Sequence, residues 1–394
     1  MKMSLRRLFN WDTLILFLGI AGSLAIRIYL IGFVSGDYRQ STRHWFDALL
    51  TDGYKAFATG FSNYSPAYLY FLFLSILIVV RFPLDRLRIR LTAIKLPSIL
   101  ADYLLAGFGS AMVRMRYPTG HAWSFAFAAI LFTPTVIVNS AMWGQADVFF
   151  TAALLACIYL LLRRHPYWAM LAFGIAFAFK LQAAFLAPFL LILLLKGWIP
   201  WKSLILIPLP YIVSIIPPLL IGRPLADLLR IYLVQVSEFS ELNLNTANLY
   251  SWFSQDSPTI LYTLGLIFAV VAVGLFIFWV YKSKRDLDDS LILQLATFTM
   301  LLVPFVLPRM HERYYYPADI LSVIYAFYFP RYFYLPFLVV TASLLSYIPF
   351  LYDTTLVPLP ILSLLILAAL LITGQALFRS LREKPQPVVN MALE

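Results

Sequence analysis

Six short polar stretches interrupt an otherwise apolar chain, and their residue types are those of acid–base and anion chemistry. Gly36-Asp37-Tyr38-Arg39 follows the first apolar run and leads into the amphipathic His44-Trp45-Phe46-Asp47-Ala48-Leu49-Leu50. A carboxylate at a membrane exit can take a proton from a hydroxyl brought to the surface; an acid merely solvated by headgroups explains it equally well. Ser62-Asn63-Tyr64-Ser65-Pro66 opens the next apolar helix with ordinary helix-start residues. In 139–147 a span ends in Asn139, Ser140, Trp143, Gln145 and Asp147 with almost no loop before the next span. Lys180-Leu181-Gln182 lodges between two apolar half-spans, where a lysine either snorkels or meets an anion. Arg309-Met310-His311-Glu312-Arg313-Tyr314 sets two guanidiniums, an imidazole and one acid at a membrane edge. The arginine fork matches phosphate oxygens, of a ligand or of a lipid headgroup. The segment 223–257 adds Asn243, Asn245, Thr246, Asn248, Tyr250 and Trp252, suited to hydroxylated ligands or simply to water.

Taken together these stretches offer a general base, a helper acid and an anion clamp, the set that displacement of a phosphate leaving group requires. A leaving phosphate at a membrane surface belongs most naturally to a lipid-linked substrate. No Gly-rich phosphate loop, Ser-His-Asp arrangement or metal-spaced His/Cys set occurs, and the four histidines are scattered.

The elements that must position these residues follow from composition. Of 394 residues 62% are hydrophobic, 17% aromatic and only 12% charged, against about 25% charged in a soluble domain. No soluble core absorbs that excess, so the chain reads as an all-α polytopic membrane protein. A soluble enzyme, a nucleic-acid binder and a disordered scaffold are excluded. The net charge of +11 belongs to short basic loops that hold helices to the cytoplasmic face. The single cysteine, Cys157, rules out an internal disulfide.

Spans need about 20 mostly apolar residues. Candidates are 13–33, 66–80, 96–113, 123–139, 148–162, 168–179, 183–195, 204–221, 259–281, 291–306, 320–329, 335–351 and 358–377, a bundle of about 11–13 membrane helices. Arg6 and Arg7 place the N-terminus inside, as a retained first span. Arg114/Arg116, Arg163/Arg164, Lys196/Lys202, Lys282/Lys284/Arg285, Arg331 and Arg379/Arg382/Lys384 join it there. Alternation then fails at the start by one span. The resolution is that 66–80 does not cross, so 34–95 is one long extracytoplasmic loop containing membrane-embedded surface helices. Its own Arg81, Arg86, Arg88 and Arg90 count against this. The second large external loop is 223–257, and the tail 383–394 reads as a short disordered end.

The order of these motifs resembles polytopic glycosyltransferases of the GT-C type, and is most similar to bacterial relatives of GPI mannosyltransferase II. The marks are Gly36-Asp37, Asn63-Tyr64-Ser65-Pro66, Lys95-Leu96-Pro97 with Asp102, Trp143-Gly144-Gln145 with Asp147, Lys180 with Gln182, and His311-Glu312-Arg313-Tyr314. Where that family has Tyr-Pro-Pro, this chain has Tyr64-Ser65-Pro66. The resemblance implies a GT-C-like helical bundle, with a shared seven-span catalytic module in 1–222 and variable spans in 258–394. It also implies a polyprenyl-phosphate sugar donor, mannose by analogy, and transfer with inversion to a lipid-linked or surface glycan acceptor. On that footing Asp37 is the base, and Asp147 with Gln145 orients acceptor or sugar. Lys180, His311, Arg313 and Arg39 hold the donor phosphate, Glu312 positions Arg313, and Asn63, Tyr64, Trp143, Gln182 and Tyr314 line the substrate. No metal ligand set is assigned, although a divalent ion is compatible with this fold type. The expected setting is the bacterial plasma membrane, with membrane lipid and no nucleic acid as partner and the site on the extracytoplasmic face.

A multi-span transporter or lipid flippase also carries buried charges among many spans. Such proteins often repeat broken helices in matching halves, and no matching halves are found here. A non-catalytic assembly subunit predicts that Asp37→Asn is silent. The topology itself has a direct test. Single cysteines placed in 143–147 and in 163–165 should label from opposite sides of the membrane, and labelling from one side breaks the assignment.

Overall fold

The computed structural model describes residues 10–79, 81–82, 87–254 and 258–382. Arg6 and Arg7, Arg86, Lys384 and the tail 383–394 lie outside the described residues. In a bilayer every backbone polar group must be satisfied internally, and the chain obliges with helices wherever it is apolar. These are α1 (Trp11–Leu30), α2 (Arg43–Asp52), α3 (Pro66–Val79), α4 (Leu87–Arg116), α5 (Ala122–Phe132), α6 (Pro134–Trp143), α7 (Asp147–Leu162) and α8 (Pro166–Phe179). They continue as α9 (Leu181–Leu195), α10 (Trp201–Leu220), α11 (Leu225–Ser237), α12 (Pro258–Lys282), α13 (Asp289–Val306), α14 (Tyr316–Tyr328), α15 (Leu335–Tyr352) and α16 (Leu359–Arg382). Among the described residues seven helices are long and apolar enough to cross a membrane, or eight when α5 and α6, bent by 52°, count as one span. The protein is an all-α, multi-pass membrane-type bundle.

Contacts sort the helix ends into two groups. At one end Asp12 meets His121 and Ser124, Arg114 covers Trp123, Arg164 pairs with Asp289, and Lys196 bonds the Ser283 carbonyl. At the other end are Asp37, the 143–147 turn, Lys180 and 309–314, with Tyr352 beside Met142. The basic loops at Arg114, Arg164, Lys196 and 282–285 thus lie at the end away from Asp37. The Arg88 guanidinium donates to the Ile28 carbonyl at 3.1 Å, so α4 begins where α1 stops. Between them, α3 is 14 residues long.

Two boundaries differ from expectation. The first loop ends at Leu87 rather than at 95, because α4 is a 30-residue helix. Lys95 is therefore inside a helix, and its ammonium donates to the Ile31, Phe33 and Met142 carbonyls at 2.7–2.9 Å. The second large loop is partly helical: α11 buries Leu228 and Ile231 and exposes Leu225, Leu229 and Leu233. After it, Asn243–Leu244 (β1) pairs in parallel with Met310–His311 (β2).

Mid-bundle, Arg27 and Asp102 form an ion pair (2.8 Å) with both side chains fully buried. Arg27 also donates to the Leu131 carbonyl at 3.2 Å, just before the α5/α6 break where Pro134 cannot continue the ladder. The arginine thus takes up a carbonyl freed by the bend. Removing one partner of a buried pair strands the other charge, at a cost of about 3–5 kcal/mol. Arg27→Leu should therefore lower the thermal midpoint in detergent sharply. The Arg27→Leu/Asp102→Leu double variant should recover much of the loss, and equal losses in both would refute the pairing argument.

Candidate functional site

The turn that builds the site begins in the wide last stretch of α6. Residues 138–143 are wound as a π-helix, a form that concentrates at functional sites. It ends at Gly144, whose φ of +84° is left-handed and favours glycine. A Cβ there would sit 3.2 Å from Lys95 Cγ, so space as well as conformation selects glycine. The turn reverses the chain in three residues and brings Trp143, Gln145 and Asp147 together.

Asp37 stands between α1 and α2, at the start of a short helical segment whose residues Tyr38–Thr42 are wound as a π-helix. Its Oδ2 accepts from Trp143 Nε1 at 2.8 Å and from Gln145 Nε2. Oδ1 has no hydrogen-bond partner among the described residues, and Asp37 lines a cavity of about 590 Å³ at this end of the bundle. One carboxylate oxygen is oriented by two N–H donors, which leaves the other available.

Asp147 is arranged differently. It is fully buried and absent from the cavity wall. Its Oδ1 meets the Lys180 ammonium, and its Oδ2 accepts from Asn139 Nδ2 at 2.9 Å and lies 3.7 Å from Arg313 Nε. Both oxygens are taken, so Asp147 does not reach a ligand in the cavity; it fixes the positions of Lys180 and Arg313. Arg313 also donates to Glu312 Oε1 at 2.7 Å and covers the Trp143 ring at 5.4 Å. Burial disfavours the charge of Arg313, but Glu312, Asp37 and Asp147 outweigh that and raise its pKa further. Burial lifts the Glu312 carboxyl above its usual range, against the pull of Arg313.

His311 corrects the expectation of a triply cationic clamp. Burial, then Arg313 and Lys180, press its pKa down to about 2. The imidazole is neutral, packed on Phe239 and Tyr314, and supplies no charge to a phosphate. Arg39 is a second correction: it is exposed and lies in a separate groove with Arg43 and Arg90, away from the main cavity. Trp143 acts from behind the wall, stacked on Phe350 while it donates to Asp37.

The remaining candidates do line the cavity. Gln182 donates to the Tyr314 hydroxyl at 2.7 Å, and Tyr64 reaches Gln145 at 3.5 Å. Asn63 donates to Glu238 at 2.9 Å, so the far end of α11 is tied to the start of α3. In the Asn243–Asn248 segment Asn248 holds the Pro304 and Leu307 carbonyls and Thr246 Oγ1 bonds Met310 O, while Leu244 and Asn245 line the cavity. Sequence reasoning missed Arg27, whose signal was a charge inside an apolar run, and named Lys95 and Arg309 within their motifs without giving either a role of its own. Among the described residues no three His, Cys, Asp or Glu side chains gather as metal ligands. Asp147 and Glu312 are already neutralised by cations, so this donor set does not fit a divalent ion.

No protein-family model matches the chain, and no curated protein matches it.

A histidine kept neutral by burial costs stability in acid. The unfolded chain takes up its proton near pH 6.5, while the folded one refuses it until about pH 2, so stability falls as pH drops below about 6.5. Between about pH 6.5 and 5 that loss is roughly 2 kcal/mol. His311→Asn should flatten the fall in thermal midpoint over this range relative to the wild type. An unchanged slope would show that His311 titrates normally.

Proposed function

We propose that the chain is an inverting glycosyltransferase that moves a sugar, mannose by its resemblance, from a polyprenyl-phosphate donor to a lipid-linked or surface glycan acceptor. The observation that carries this reading is Asp37, whose carboxylate faces the cavity through one unpartnered oxygen while Trp143 and Gln145 hold the other. Asp37 accepts the proton of the acceptor hydroxyl as that oxygen attacks the anomeric carbon. The bond from that carbon to the phosphate oxygen breaks on the opposite face, and the electron pair leaves with the polyprenyl phosphate. Lys180 and Arg313 supply a positive field for the developing charge.

A lipid-linked donor is supported by the cavity's outer wall. Tyr262 and Leu266 of α12 line it, and their neighbours Leu264 and Ile267 are exposed on the apolar flank of the bundle. A substrate with a hydrocarbon tail can meet the cavity from that side. The site belongs on the extracytoplasmic face, since the basic loops gather at the opposite end. The shorter apolar helices α3, α7, α8 and α9 complete a GT-C-like bundle of the expected 11–13 membrane helices, with 34–86 as its long first loop.

The test is an assay of the purified protein in nanodiscs with radiolabelled polyprenyl-phosphate mannose and candidate acceptors. Asp37→Asn should cut transfer by about 10²–10⁴-fold while donor binding is kept. Movement of substrate without covalent transfer, or an Asp37→Asn variant of full activity, would overturn the proposal.

A further inference from the structure

Three cations border the cavity, and two of them are already neutralised. Lys180 is paired with Asp147, and Arg313 lies between Asp147 and Glu312. Arg309 is different. Among the described residues it has no ion pair and no side-chain hydrogen bond, and its Nε is buried without a partner. Its one close contact is the Tyr262 ring, 3.9 Å from the guanidinium carbon. Of the acids on the same wall, Glu312 is paired with Arg313 and Glu238 is engaged with Asn63.

The backbone of Arg309 has a φ of +59°, in the left-handed region. A residue with a Cβ gives up about 1–2 kcal/mol there, and glycine would be free of that cost. The conformation is held by Arg309 N donating to Leu242 O at 2.8 Å, next to the β1–β2 pairing. Strain of this kind, kept at a non-glycine residue, accumulates at ligand sites. A guanidinium stacked on an aromatic ring is fixed in plane while its outer N–H groups remain open for a bidentate anion. The ring that fixes it belongs to α12, whose adjoining surface is exposed and apolar.

We propose that Arg309 is the residue that grips the phosphate of the lipid-linked ligand, with Tyr262 fixing the fork and the hydrocarbon tail lying along α12. Lys180 and Arg313 then shape the field and the cavity floor without being the primary phosphate ligands. This rests on the reading of the cavity as a site for a phosphate-bearing lipid.

The experiment uses full-length protein in zwitterionic nanodiscs, with undecaprenyl phosphate, undecaprenol and inorganic phosphate as probes. Wild type should prefer undecaprenyl phosphate to undecaprenol. Arg309→Gln should weaken undecaprenyl phosphate by about 10–100-fold and leave undecaprenol unchanged. Arg309→Lys should fall between them, since it keeps the charge but not the fork. Inorganic phosphate should show the same ranking at weaker affinity if the headgroup alone is recognised; recognition only of the whole lipid removes that ranking and leaves the tail contact essential. Arg309→Gly, unstrained at this φ, should keep or raise the thermal midpoint, which separates binding loss from misfolding. Unchanged affinity in Arg309→Gln overturns the role of Arg309 alone. A wild type that does not prefer the phosphorylated lipid overturns the lipid-phosphate reading itself.

Discussion

A carboxylate sealed inside a helical bundle cannot keep its charge alone, and Asp147 is placed where two cations must come to it. Lys180 arrives from the α8–α9 corner and Arg313 from the 309–315 loop, while Asn139 donates from the preceding turn. Desolvating an ion costs several kcal/mol, which is recovered only when the geometry of its partners is good. Three chain segments far apart in sequence are thereby held at one point. The cavity's wall is built on that point, because Gln182 and Tyr314 flank the two cations and bond each other.

Charge balance then divides the labour. Asp147 and Glu312 are offset by Lys180 and Arg313, and His311 is neutral. Among the described residues, those that line the cavity without an ion-pair partner are Arg309 on the positive side and Asp37 and Glu238 on the negative side.

The transmembrane order was legible because hydrocarbon leaves little choice: apolar runs are helical, and basic loops share an end. Burial within the bundle was not legible. Asp37 and Asp147 are the same residue type, yet one lines the cavity and the other is enclosed, and that depends on how the segment before α2 and the start of α7 pack against each other. The sequence places His311 between cations, but only packing shows that it is dry enough to lose its proton. Arg39 follows Asp37 closely in the chain and points to another groove, because positions two apart on a helix face different ways. The helix α11 was hidden by its polar surroundings, its buried Leu228 and Ile231 being too few to dominate the segment.

The six residues 138–143 explain why these separate features act together. Asn139 reaches Asp147 and Ser140 reaches Asp102, so adjacent residues touch the site's anchor and the interior Arg27 pair. The Met142 carbonyl is held by Lys95, the Trp143 carbonyl by Ser35, and the Trp143 indole holds Asp37. An α-helix advances 100° per residue and would scatter these partners. The wider π-turn, closed by Gly144, gathers them on facing sides of one short segment. Asp37 is consequently positioned through the same six residues that contact the buried Arg27–Asp102 pair, and the rigidity of the bundle interior is passed to the cavity without any covalent brace.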